Sequence, residues 1–253
     1  MTPPNKSPIF TADYFEQFAD SRRVPIPVLN YYLWLLFRTD IADSFLDVGA
    51  GTGQFSTIVS RDFELSRIGL IEPSGSAATQ LLKNFPNQDL FECGFREFCI
   101  HDRQKWDRIL FSEVTHLLNM SALELSRAIL DLHATNGRVL IRTSSHTQLK
   151  ERFWYTFFPA ALELDIARHI DLDELSQELQ EVGYVTHQFV VDESRWIKSD
   201  AFQDLISNRS FSTLREIPEG SLIGGLKAVE AYLANREQVW YDYRMTALYA
   251  TRI

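Results

Sequence analysis

Several features that would take this chain out of the ordinary globular class are scarce or missing. It has two cysteines, Cys93 and Cys99, among 253 residues. A disulfide framework or a cysteine-based metal centre needs more, so reduced thiols, a cytoplasmic setting and no metal are expected. No linker rich in Gly, Pro or Ser, no internal repeat and no low-complexity tract interrupts it. The longest apolar run, YYLWLLF at 31–37, ends at Arg38, far short of the roughly 20 residues that span a bilayer. The opening MTPPNKSPIF lacks the apolar stretch of a signal peptide. Positive charge is also short: Lys plus Arg number 25 against 34 for Asp plus Glu, a formal charge of −9. Such a chain repels polyanions, so neither nucleic acid nor an anionic membrane is expected as a partner. At 45% hydrophobic residues the chain can fill a core, and its length suits one elaborated domain over 1–253.

Along the chain, TADYFEQFADSRR (11–23) reads as a short amphipathic helix. PIPVLNYYLWLLFRTD (25–40) follows, with Pro27 in a first turn and apolar residues nearly all round, which predicts a buried helix. Together they form an N-terminal helical cap over 1–40. Strand and helix then alternate. Strands are expected at 44–49, 67–74, 89–93, 106–114 and 138–144, with helices near 53–62 and 75–84. A further helix begins at a Ser121–Glu124 capping box and is closed by Gly137. This alternation implies a parallel sheet with helices on both faces, an α/β fold. The tail departs from it. A helix at 171–184 is stopped by Gly183, strands follow at 185–194 and 240–253, and residues 197–238 are mainly helical. That segment and the aromatic-rich 146–170 are expected to form a lid.

The most informative stretch is FLDVGAGTGQF (45–55), an apolar strand that runs into three glycines. Glycine there tolerates any φ and lets backbone approach a ligand at the carboxyl end of a strand. A dinucleotide fingerprint is G-x-G-x-x-G/A, but its third place falls on Gln54, and the pattern here is G-x-G-x-G. Asp47 also sits inside the ligand corner, where a carboxylate would repel a pyrophosphate and favour a ligand with positive character. Glu72, at the end of the second strand, is placed to accept hydrogen bonds from ribose hydroxyls.

These stretches, with LIEPS, DRILFSEVTHLL and GRVLIRTSS in the same order over residues 14–145, resemble the class I S-adenosylmethionine-dependent methyltransferases. The tail is similar to small-molecule members of the methyltransferase-11 type. The resemblance implies a Rossmann-like, seven-stranded, mostly parallel sheet in the order 3-2-1-4-5-7-6 with the last strand antiparallel, and S-adenosylmethionine as cofactor. It further implies Asp47 at the methionyl amino group and Gly49, Ala50 and Gly51 under the cofactor. Glu72 falls on the ribose, Pro73 against adenine, and Ser112 and Glu113 beside the methionyl part. Tyr14 and Arg22 match an N-terminal pair that closes over the cofactor. Relatives carry an Asp past the third strand; here Gly94 takes its place, leaving backbone groups of Gly94 and Phe95 for adenine.

Methyl transfer needs a nucleophile in line, exclusion of water and, for some acceptors, a base. His116 and His146, past the fourth and fifth strands, are the base candidates. Arg142, Arg209 and Arg244, with RFWYTFF (152–158) and its Trp154, suggest an aromatic-lined pocket with an acidic anchor on the acceptor. The expected reaction is methylation of an oxygen, hydroxyl or carboxylate, on a small molecule, a natural product or a modified peptide. N-methylation of a small molecule, an NAD(P)-linked oxidoreductase and a non-catalytic cofactor-binding module stay open beside it.

Overall fold

The structure, a computed structural model, describes residues 24–38, 41–102 and 104–252. The helix expected at 11–23, and with it Tyr14 and Arg22, lies outside these residues.

Strands β1 (Ser44–Val48), β2 (Arg67–Ile71), β3 (Asp89–Phe91), β4 (Trp106–Ser112) and β5 (His133–Thr143) are parallel to one another. With β6 (Tyr184–Asp192) and β9 (Arg244–Arg252) they form one sheet in the order β3-β2-β1-β4-β5-β9-β6. β9 runs antiparallel to both β5 and β6. It is the seventh strand of this sheet in chain order, so the order is the expected 3-2-1-4-5-7-6. Every residue of β1 is buried, as a parallel strand covered on both faces requires. Adjacent residues of β4 enter different cores. Ile109 and Phe111 pack with Leu125, Ile129 and Leu175, whereas Leu110 packs with Leu33, Leu36 and Val59; this is the two-residue period of a strand.

Helices α2 (Gln54–Asp62), α3 (Gly75–Asn84), α4 (Phe95–His101) and α5 (Ala122–Leu132) follow strands β1 to β4, with α1 (Ile26–Phe37) before the sheet. The Ser121–Glu124 capping box is present: Ser121 Oγ accepts the Glu124 N–H, and Glu124 accepts the Ser121 N–H. In α1, Tyr31 and Trp34 stand exposed and stacked, so this helix buries one face rather than its whole circumference.

Beyond β5 come α6 (His146–Glu151), a 3-10 turn at Phe153–Thr156, α7 (Pro159–Arg168) and α8 (Leu172–Glu181). α9 (Ser199–Ser207) and α10 (Glu219–Leu233) follow β6. Residues of 149–161 and 202–233 share a third core in which Trp154, Phe158, Phe202, Phe211 and Val229 pack with Met245 of β9. The two segments thus make one helical layer on the sheet.

Two boundaries differ from expectation. α5 ends at Leu132, and β5 begins at His133, so Gly137 lies in a strand rather than closing the helix. The β4–β5 register shifts between Trp106 and Arg108, and a Cβ on Gly137 would meet His133 and the Asp107 carbonyl. Gly137 therefore serves a close backbone approach in the sheet. The strand expected at 240–253 is divided. β8 (Gln238–Tyr241) leaves the main sheet and pairs with β7 (Arg195–Lys198) as a separate two-stranded ribbon.

Candidate active site

A cavity of about 500 Å³ opens at the carboxyl ends of β1, β2 and β4. Its floor is the glycine loop. Gly49, Gly51 and Gly53 have φ of +69°, +56° and +80°, a region L side chains rarely enter. Each answers a different demand. A Cβ on Gly49 would lie 2.5 Å from Val114, and one on Gly53 would lie 2.5 Å from Phe85. One on Gly51 would meet nothing closer than 4.0 Å. The outer glycines let the loop pack; the middle one keeps the cavity floor flat.

Asp47 lines this cavity and is 2% exposed. Ser56 Oγ donates to it at 2.5 Å, and among the described residues no cation lies within ion-pair distance of it. Burial pushes its pKa up to about 7, opposed by the Ser56 hydrogen bond and reinforced by Glu72. Both oxygens of Glu72 are oriented by backbone: Oε2 accepts the Gly51 N–H at 2.8 Å and Oε1 the Ser74 N–H at 2.9 Å. Burial raises this group as well. Each carboxylate oxygen keeps a second lone pair, so Glu72 can still accept from a ligand. Pro73, Gly94 and Phe95 line the next part of the wall. The Phe95 ring belongs to the core, edge-on to Phe111. A Cβ on Gly94 would meet nothing within 4 Å, so that position offers backbone and open space. Sequence reading missed Gln54, whose side chain accepts the Val24 N–H and donates to the Val24 carbonyl. This pair ties the segment before α1 to the edge of the cavity.

Ser112 and Glu113 close the far end. Glu113 has φ +53°, an uncommon conformation for a residue with a Cβ. Its carboxylate accepts from Tyr243 Oη and lies 3.2 Å from Arg142. Behind it is a second, small chamber of about 20 Å³, lined by His116, Arg152, Trp154, Tyr155, Tyr243 and others of the helical layer. Glu113 lines both spaces.

The arginines expected to meet an acceptor are used otherwise. Arg142 lines the large cavity, but its Nε and NH2 donate to the two oxygens of Glu193 at 2.7 and 2.6 Å, and its NH1 reaches Ser112 and Glu113. Burial alone would lower its pKa; Glu193 and Glu113 raise it well above the ordinary value. Tyr32 Oη completes the cluster by donating to Glu193 at 2.7 Å. With its guanidinium committed to these partners, Arg142 is an internal tie rather than an anchor. Arg209 pairs with Glu219, and Arg244 pairs with Asp242 and Glu151. Neither lines either of these two spaces: Arg209 stands in the turn after α9, and Arg244 opens β9.

The histidines also separate. His116 lines the small chamber and stacks on His169, ring centroids 4.5 Å apart. Burial, then His169, lowers its pKa to about 3, which leaves it neutral and a poor proton acceptor. His146 hydrogen-bonds the His169 carbonyl through Nε2 and lines neither space. Trp154 is buried in the wall of the small chamber and stacked on Tyr155 and Phe211. No cluster of three or more His, Cys, Asp or Glu that could hold a metal occurs among the described residues.

The sheet order, the glycine floor and the two acids define an α/β protein built to hold an adenosine ligand with positive character. The open floor at Gly51, the buried Asp47, without a cation among the described residues, and the oriented Glu72 all fit S-adenosylmethionine. A methyltransferase-domain family model, Methyltransf_23, matches residues 12–188. The chain belongs to this family and is a class I S-adenosylmethionine-dependent methyltransferase. No curated protein sequence matches it. Among solved structures, it is similar to a protein assigned as a methyltransferase of an antibiotic biosynthesis pathway in Anabaena variabilis. That pair has 19% identity and a TM-score of 0.69, over 91% of this chain and 99% of the other. It is also similar to a mycolic acid cyclopropane synthase complexed with S-adenosylhomocysteine (12% identity, TM-score 0.63, 96% and 94% covered). A third is the plantazolicin methyltransferase, in complex with a desmethyl analogue and S-adenosylhomocysteine (14%, 0.60, 95% and 90%). At these identities the likeness is one of fold.

Proposed function

We propose that the chain methylates an oxygen, hydroxyl or carboxylate, of a small organic acceptor, a natural product or a modified peptide. The observation that carries this reading is the pair of spaces that meet at Glu113. The large one presents acids. Beside its own acids, Glu113 and Asp165, the small one presents unpartnered donors on Arg152 and Trp154 and an unpartnered ring nitrogen of His116. A donor-lined space suits an acceptor atom rich in lone pairs better than an ammonium group.

When bound, S-adenosylmethionine supplies an electrophilic methyl group on its sulfonium. In this reading the deprotonated Asp47 holds the cofactor's ammonium group, and Glu72 accepts from the ribose hydroxyls. Gly49, Ala50 and Gly51 form the floor, and Pro73, Gly94 and Phe95 flank adenine. Ser112 and Glu113 stand beside the methionyl part, and Tyr14 and Arg22 close over it. His116, neutral through burial, hydrogen-bonds the acceptor rather than removing a proton, which favours an acceptor oxygen that is acidic in its own right. His146 acts at one remove, steadying the His116–His169 stack through the His169 carbonyl. Trp154 contributes its indole N–H. The charge of −9 and the enclosing helical layer support a small acceptor over a polyanion. The antibiotic-pathway methyltransferase, similar in fold, lends weight to a natural-product acceptor. Among the described residues no helix is long and apolar enough to cross a membrane.

The test is calorimetric titration with S-adenosylhomocysteine and NADH, then radiolabelled methyl transfer to panels of acids, hydroxyl compounds and amines. Binding of S-adenosylhomocysteine alone, with label on an acid or hydroxyl, is expected. Treatment of the product with mild base releases methanol from a carboxyl ester and none from an ether, which assigns the atom. Label appearing only on amines, or no binding of S-adenosylhomocysteine, overturns the reading.

A further inference from the structure

Arg152 stands out among the buried cations. It is 7% exposed, and among the described residues no carboxylate lies within the 4.0 Å of an ion pair. Its NH2 donates to Ser144 Oγ at 2.6 Å and approaches Met245 Sδ at 3.3 Å. The guanidinium lies 4.3 Å from the centre of the Tyr243 ring, and Nε has no partner. Arg142, buried nearby, shows how this protein treats a cation it means to neutralise: two carboxylates surround it. Glu113 acts on the Arg152 charge at longer range, but no carboxylate among the described residues touches it, and a buried cation is costly unless it is paired.

The surroundings of Arg152 point the same way. Trp154 Nε1 and His116 Nδ1, on the same chamber wall, are buried without partners. The acids of that wall are already satisfied. Asp165 accepts from Tyr155 Oη, Thr213 Oγ1 and Arg168, and Glu113 is held by Tyr243 and Arg142. Arg152 Nε and Trp154 Nε1 can only donate, so among the described residues the chamber is short of acceptors for them.

We propose that the small chamber beyond Glu113 receives a carboxylate of the methyl acceptor, with Arg152 as its ion-pair partner and Trp154 and His116 as further hydrogen-bond partners. A space of about 20 Å³ holds little beyond one water-sized group, so only the smallest anions are candidates, and a guanidinium edge matches a planar carboxylate among them. This deepens the methyl-transfer reading and rests on it for the word acceptor; the anion site itself does not require methyl transfer.

The probe is formate, the smallest carboxylate. Its NMR signal is followed during titration with the full chain at constant ionic strength, with and without saturating S-adenosylhomocysteine. Saturable binding is expected in the native protein. In Arg152→Gln it weakens by about tenfold or more, the effect of losing a charged hydrogen-bond partner. Arg152→Lys falls between, and Trp154→Phe, which keeps the stacked ring and loses the N–H, weakens binding to a smaller degree. Circular dichroism and S-adenosylhomocysteine affinity report whether each variant is folded; if Arg152→Gln is not, Trp154→Phe decides. Absence of saturable formate binding, equal binding by Arg152→Gln, or preferential binding of inorganic phosphate overturns the proposal. Formate binding without any S-adenosylhomocysteine binding would sink the methyl-transfer reading and leave the anion site standing.

Discussion

The two spaces that meet at Glu113 are built in opposite ways. The large cavity is made by short runs of chain at successive strand ends, the glycine loop above all, with backbone N–H groups orienting Glu72. The small chamber is made by side chains far apart in sequence, such as His116, Arg152, Trp154 and Tyr243, brought together by the helical layer. The first is a property of local geometry and tolerates few backbone changes. The second is a property of long-range packing and can be re-lined without touching the sheet. Cofactor binding fixed by the fold and acceptor choice left to a variable layer is the division of labour this contrast teaches.

The comparison is broken most severely at the cluster that joins the halves. Glu193→Ala strips Arg142 and Tyr32 of their shared partner and leaves a buried cation short of charge. A loss of about 3–5 kcal/mol is expected in urea unfolding, with both halves affected. The glycine loop offers a sharper contrast. Gly49→Ala drives a methyl into Val114 and costs stability, about 2–4 kcal/mol. Gly51→Ala meets open space, so its cost is only the backbone strain, about 1–2 kcal/mol; its added methyl stands over the cavity floor, and loss of S-adenosylhomocysteine binding is its main effect in calorimetry.

Asp47 makes the large cavity pH-dependent. Its carboxyl must lose a proton to meet an ammonium group, so affinity for S-adenosylhomocysteine should fall by about tenfold per unit as pH drops below about 7. Asp47→Asn should bind weakly and flatten that dependence. The folded pKa lies above the ordinary carboxylate value of about 3.8. The folded, ligand-free protein therefore binds the proton more tightly, and the contribution of Asp47 to stability is lost as pH rises from about 4 through 7. Melting curves of Asp47→Asn over this window should lack the decline. The smallest effects are expected where the arginines face outward. Arg209→Gln and Arg244→Gln, which remove exposed ion pairs, should leave melting temperature and methyl transfer within error of the native protein.

The same contrast sets what could be read before the structure. β1 to β5, the glycine floor and the acids at 47 and 72 were legible because each is a short run whose residue types and spacing follow from local backbone geometry. The alternation of strand and helix pointed to a parallel sheet, while the order of its strands came with the family resemblance. The chamber was not legible. Arg152 looks like any arginine beside an aromatic run, and only the absence of a carboxylate within reach distinguishes it from Arg142, which looked the better anchor. That absence is a three-dimensional fact, set by where Glu193 lands. Gly137 misled for a related reason: glycine marks helix ends and close strand approaches alike, and the choice depends on Asp107 and His133 across the sheet. The split between β8 and β9 was hidden because both halves share the aromatic, β-branched composition of one strand.

The placement of β9 bears on how the molecule is made. β6 has β9 as its sole neighbour in the sheet among the described residues, and the whole of β7 to β8 lies between them in the chain. A ribosome therefore delivers β6 long before the strand that will join it to β5. Through that interval the β5 edge is bare and β6 has nothing to pair with, while the helices between them emerge. An unpaired strand edge is an aggregation risk, and α9 and α10, which share a core with Trp154 and Phe158, are the elements that emerge in that interval. The tie between Arg142 on β5 and Glu193 after β6 spans β9, the strand that pairs with both.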